Sequence, residues 1–160
     1  MGNDQAFINF IEAVDQEIGL LKKLRYRLMV LQALAKDDNP EAIQPSVVET
    51  QESYENVRAA ELVRAAATIK LTDQLELDPE VGMNEIAAKS PGAWGEIVLE
   101  RRKAMIESVA GVQQVIDVIT LVLSQRIVQT EQALAFLKDH SNSGYGDSGN
   151  KTGLLITGTI

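Results

Sequence analysis

From Pro91 to about Asp139 no further proline occurs, and apolar side chains return in alternating steps of four and three. Met105, Val109, Val112, Ile116, Ile119 and Leu123 open this seam, and Arg126, Thr130, Ala133 and Leu137 continue it with a polar residue at two positions. A 3.5-residue period held over more than four heptads specifies a packed helix. At 1.5 Å per residue, nearly fifty residues reach about 70 Å. A stripe of that length can be buried only by partners of comparable length, so this one helix dictates long helices lying side by side. Ser90-Pro91 reads as its start, an N-cap followed by proline at the first helical position. Between Val115 and Leu123 the helix is apolar nearly all round, which predicts a neighbour on both sides.

Two further segments supply the partners. Residues from about 4 to 36 lack proline and carry Phe7, Ile11, Val14, Ile18, Leu21 and Leu28 in heptad spacing, interrupted only by Arg25. A second stripe, Leu24, Leu31 and Leu34, broadens this face. Asp37-Asp38-Asn39-Pro40 ends the helix, because the residue before a proline resists the helical region. The next helix is predicted from Pro45 to about residue 75. It buries Val47, Val48, Tyr54 and Val57, then an alanine-rich half around Leu62, Ala65, Ala66 and Ile69 that allows close approach of another helix. Pro79 and Gly82 mark a connector carrying a short helix near 83–89. Aromatics are only 4% of the chain, and the apolar residues are mainly Leu, Ile, Val and Ala, the vocabulary of helix–helix seams. The fold class is all-α: long antiparallel helices in a three-helix bundle or coiled-coil-like arrangement over residues 1–140. Residues 141–160, rich at first in Ser, Gly and Asn, read as a flexible C-terminal tail.

Charge and motifs narrow the function by exclusion. The net charge of −8 disfavours nucleic acid and anionic lipid surfaces as partners. Acidic residues at Asp4, Glu12, Asp15 and Glu17 do not fit a signal peptide. The longest apolar run, Val115 to Leu123, is interrupted by Asp117 and Thr120 and falls short of the roughly 20 residues of a membrane span. The expectation is a cytoplasmic protein without membrane insertion. There is no cysteine, hence no disulfide or thiolate metal site. The lone histidine, His140, suits the helix end it follows and offers neither a catalytic triad nor a di-iron set. Gly144, Gly149, Lys151 and Thr152 approximate a phosphate loop, but Asn150 intrudes and the element before them is a helix, not a strand. Asn150-Lys151-Thr152 is a chance sequon. The basic clusters Lys22, Lys23, Arg25, Arg27 and Arg101, Arg102, Lys103 read as solvated faces or interhelical pairs. Arg25 and Arg126, on seam positions, set register or reach outward. Trp94 is expected to anchor the connector. No enzyme site and no cofactor or metal site is predicted.

Several features are similar to the FlgN-type flagellar export chaperones, which guard hook-associated subunits before type III secretion. They are Leu20-Leu21 with Leu31 and Leu34 in the first helix, Arg58-Ala59-Ala60-Glu61-Leu62 entering a Leu/Ala helix, and Ala93-Trp94 at the end of the connector. Phe136-Leu137 closing the long helix and Tyr145-Gly146 with Gly149 in the tail complete the set. The valine-rich stretch from Val109 to Val122 and the apolar end Leu154, Leu155, Ile156 and Ile160 depart from the family pattern. The resemblance implies a stoichiometric protein partner and no chemistry. The long helix would lend its stripe to an aggregation-prone helical segment of a hook-associated subunit, with Ile127, Leu134 and Leu137 as carriers and Tyr145 near the export gate. A self-associating structural coiled coil is the competing class, and the oligomeric state stays open.

Overall fold

A computed structural model describes residues 2–37 and 39–138. Four helices account for nearly all of them: α1 (Gly2–Lys36), α2 (Pro40–Gln74), α3 (Met83–Lys89) and α4 (Trp94–Lys138). No strand occurs among the described residues. The tail at 141–160, with His140, Tyr145 and the phosphate-loop-like run, lies outside them.

The helix ends show where local signals compete. Asn39 caps α2, its side-chain oxygen accepting from the Ala42 N–H at 3.3 Å, and Pro40 takes the first helical position. The proline that stops α1 thus starts α2, more than a turn earlier than Pro45, which sits inside the helix. At the other boundary Ser90 closes α3 instead of opening α4. Its N–H donates to the Ala87 carbonyl and its hydroxyl to that of Ile86. Gly92 then takes a positive φ of 58°, which a helix cannot pass through, so α4 begins only at Trp94.

Cross-helix contacts fix the topology. Arg27 meets Glu49 and Glu17 meets Arg64, so α1 and α2 are antiparallel. Asp4 meets Trp94, Asp15 meets Arg101 and Lys36 meets Arg126, so α1 and α4 run parallel. The long helices therefore go up, down and up. The middle position belongs to α1, which packs on both α2 and α4, while α2 and α4 hardly approach one another. The prediction that α4 is flanked by two helices across Val115 to Leu123 is corrected accordingly. Val115 and Ile119 are buried against the core, but Leu121 and Leu123 are exposed because only α1 covers that stretch.

The core is deepest where α4 begins. Phe7 stacks on Trp94 with ring centroids 4.9 Å apart, and Trp94 Nε1 donates to Asp4. Trp94 therefore ties α4 directly to the first turns of α1. Met83 and Ile86 of α3 join the same cluster, beside Phe10 and Val98. Further along, Arg25 lies against Gly111, where an added Cβ would stand 3.2 Å from its Cδ. The basic interruption in the α1 stripe is thus matched by the missing side chain on α4. On α4 the buried side chains are Val98, Met105, Val112, Val115 and Ile119, and none follows among the described residues.

This gradient gives a stability prediction. Ile119→Ala empties a buried site and should cost about 2–5 kcal/mol in urea unfolding. Leu123→Ala, one turn on and 44% exposed, should cost under about 1 kcal/mol, contrary to equal burial along the seam. Equal losses would show that the α1 cover extends past Ile119.

A second departure concerns α2, which is turned inside out. Its buried residues are largely polar or charged: Ser53, Glu61, Arg64, Thr68 and Thr72, with Val57, Ala60 and Leu71 between them. Arg64 Nε donates to the Glu17 carboxylate at 2.5 Å, both residues at most 3% exposed. Arg58 lies 3.6 Å from Glu61. Thr68 and Thr72 return their hydroxyl hydrogens to the carbonyls of Arg64 and Thr68, which satisfies both without a partner on α1. Leu62 and Ile69, expected to face inward, are 68% and 56% exposed. Val47 and Val48 at the start of the helix are exposed as well. An arginine long enough to reach a carboxylate on α1 turns α2 so that its apolar side looks out.

Candidate functional site: an unpartnered seam at the end of α4

On an α-helix, residues three, four and seven apart share a face. Val98, Met105, Val112 and Ile119 form the face of α4 that packs on α1. Leu123, Ile127, Leu134 and Leu137 carry apolar side chains onward along that side, with Arg126 and Thr130 between them, but α1 does not continue with it. Arg126 marks the limit, donating from Nη2 to the carbonyl of Lys36, the last residue of α1, at 3.0 Å. The seam arginine therefore caps the carbonyl end of α1, where a cation also complements the helix dipole.

Beyond Arg126 about three turns of α4 remain, roughly 18 Å of helix. Ile127, Leu134 and Leu137, the three carriers named from sequence, all lie there and are exposed. Leu121, Val128 and Phe136 form a second apolar stripe on the opposite side, with Phe136 the most exposed at 86%. From Val118 to Leu137 the only charged residues are Arg126 and Glu131. The helix end is thus apolar and nearly neutral on a strongly anionic protein. Tyr145, the fourth predicted contact, lies outside the described residues.

By length and composition α4 is also apolar enough to cross a membrane, and little of its most apolar stretch is buried. Counting uninterrupted apolar residues misses this, because the isolated polar positions are spread thinly. Among the described residues no cluster of three or more metal-ligating side chains occurs.

Between the three long helices, on the half of the bundle nearer this exposed end, lies an apolar cleft of about 260 Å³. Leu24, Leu28 and Leu31 of α1 form its floor, with Val47 and Tyr54 of α2 on one side and Ile116 of α4 on the other. It exists because α2 and α4 both lean on α1 without closing on each other. Its walls offer few polar groups, so what it can do is accept apolar side chains.

The arrangement is an all-helical bundle with one seam that outruns its internal partner. The sequence profile of the FlgN protein family matches residues 1–153. The chain therefore belongs to the FlgN family, and with that membership comes a role as a flagellar export chaperone of type III secretion. No curated protein and no solved structure matches the chain.

Proposed function

We propose that this chain acts in the cytoplasm by sheathing amphipathic helical segments of hook-associated subunits and handing them to the export apparatus. The observation that carries the reading is the seam of α4, which keeps its apolar face for three turns after α1 has ended. A helix that took the place of α1 along Leu123, Ile127, Leu134 and Leu137 would complete a pairing already begun inside the protein. The chemistry suits a client whose own stripe is exposed until it assembles, since both stripes leave water on docking. Near neutrality at the tip keeps the docking from resting on charge. The apolar composition of α4 then serves helix pairing rather than a lipid environment. Tyr145, just past the helix, is the proposed contact to the export gate.

The test is to mix the full chain with isolated terminal segments of hook-associated subunits and follow mass by light scattering and helix content by circular dichroism. A one-to-one complex with more helix than the separate components is expected, because the client segment orders as it docks. No complex, or growth of the chaperone chain alone into long oligomers, would support the structural coiled coil instead.

A further inference from the structure

After Leu137 the sequence returns to aliphatic side chains only with Leu154, Leu155 and Ile156, and then Ile160. Neither the client seam nor the export-gate contact involves that run. The apolar cleft of about 260 Å³ is likewise unused, although Leu24, Leu28 and Leu31 floor it and Val47, Tyr54 and Ile116 wall it.

We propose that the cleft is the docking site of the chain's own run Leu154-Leu155-Ile156, with residues 139–153 as the tether. Reach is the first support. Ile116 lies 22 residues back along α4 from Lys138, about 33 Å. Residues 139–153 could stretch to on the order of 50 Å. A chain of their Gly- and Ser-rich composition averages about 20 Å end to end, so the run reaches the cleft without full extension.

Size and charge give the second and third. An apolar cavity of about 150 Å³ holds one benzene, so the cleft has room for about two branched aliphatic side chains. Alternate residues of an extended chain share a side. Leu154 and Ile156 can therefore enter together while Leu155 faces away. From Thr152 to Ile160 no residue is charged, so entry strands no ion among apolar walls. Gln51 lines the cleft and is exposed, which lets its amide hydrogen-bond the backbone of the run.

The tether favours this occupant over a separate chain. A short flexible linker holds its cargo at an effective concentration in the millimolar range, so a contact too weak to join two molecules still fills the cleft. The other exposed apolar surfaces, the end of α4 and the outer side of α2, are each the convex side of one helix. Three helices converge on the cleft, so each side chain that enters it loses more water.

Paramagnetic relaxation in the full chain tests this. The chain has no cysteine, so Thr157→Cys gives a single site for a nitroxide label just past the run. The amide signals of Gln51, Tyr54 and Ile116 should broaden more than those of Leu134 or Ile69. Adding Leu154→Asp and Ile156→Asp to the labelled chain should abolish the broadening at the cleft, while the melting curve stays that of the parent. A labelled chain mixed with an unlabelled, ¹⁵N-enriched one should leave the enriched chain's cleft signals sharp, because the contact is made within one molecule. No broadening at the cleft, stronger broadening at Leu134 or Ile69, or broadening that survives the two aspartates overturns the proposal. Equal broadening in the mixed sample overturns it too, since the run would then dock on a second copy.

Discussion

Arg64→Ala is expected to lower the stability of the fold by about 3–5 kcal/mol, the range for breaking a buried ion pair from one side. The reason is what it leaves behind. Glu17 is 1% exposed on the face of α1 that meets α2, and the Arg64 guanidinium is its cross-helix donor. Without it the carboxylate stays buried with its cross-helix donor removed. The apolar stem of Arg64 is lost as well, which removes packing in addition to charge. Replacing both members with apolar residues of similar size, Glu17→Leu with Arg64→Met, should recover much of the loss, because no buried charge is then stranded. Urea unfolding of the parent, single and double variants reads this directly. A single variant within about 1 kcal/mol of the parent would mean that α2 does not hold its charged side inward, and the outward stripe would fall with it. The exposed pairs Arg27–Glu49 and Asp15–Arg101 mark the same register but should each contribute about 1 kcal/mol or less.

That pair also shows how far the sequence was readable. The stripes of α1 and α4 follow the ordinary rule, so Phe7, Val14, Leu21, Met105 and Val112 could be placed in the core from spacing alone. In α2 the rule points the wrong way. Leu62 and Ile69 look like core residues, and it is the cross-helix partnership of Arg64 with Glu17, 47 residues earlier, that turns the helix over. A hint was present in the spacing of Ser53, Glu61, Arg64, Thr68 and Thr72, a polar stripe as periodic as any apolar one. Helix ends failed for a different reason. Asn39-Pro40 and Ser90-Pro91 carry the same cap-like signal, and the positive φ at Gly92 makes the second a turn. The end of α4 was legible as an apolar seam but not as an exposed one, since where α1 stops relative to α4 depends on their register. Arg126 records that register in the structure by capping Lys36.

The exposed seam makes its own large prediction. Charges placed at Ile127, Leu134 and Leu137 should cost little stability, because all three are more than 40% exposed and lie past the end of α1. They should nevertheless abolish pairing with a client helix. Burying even one unpaired charge among apolar side chains costs several kcal/mol, and each 1.4 kcal/mol is tenfold in affinity. Carboxylates at the opposite stripe, through Leu121→Asp and Val128→Asp, should weaken client binding far less if the client continues the α1 position.

The most direct measurement is calorimetric titration of a hook-associated terminal segment into the parent chain and into the Ile127→Asp/Leu134→Asp/Leu137→Asp variant, with thermal melts of both. A client of the seam should bind the parent and lose at least about a hundredfold in affinity for the variant, a loss of roughly 2.7 kcal/mol or more, while the two melts coincide. Equal affinity for parent and variant would contradict the account, because the seam that outruns α1 would then not be where this chaperone holds its client.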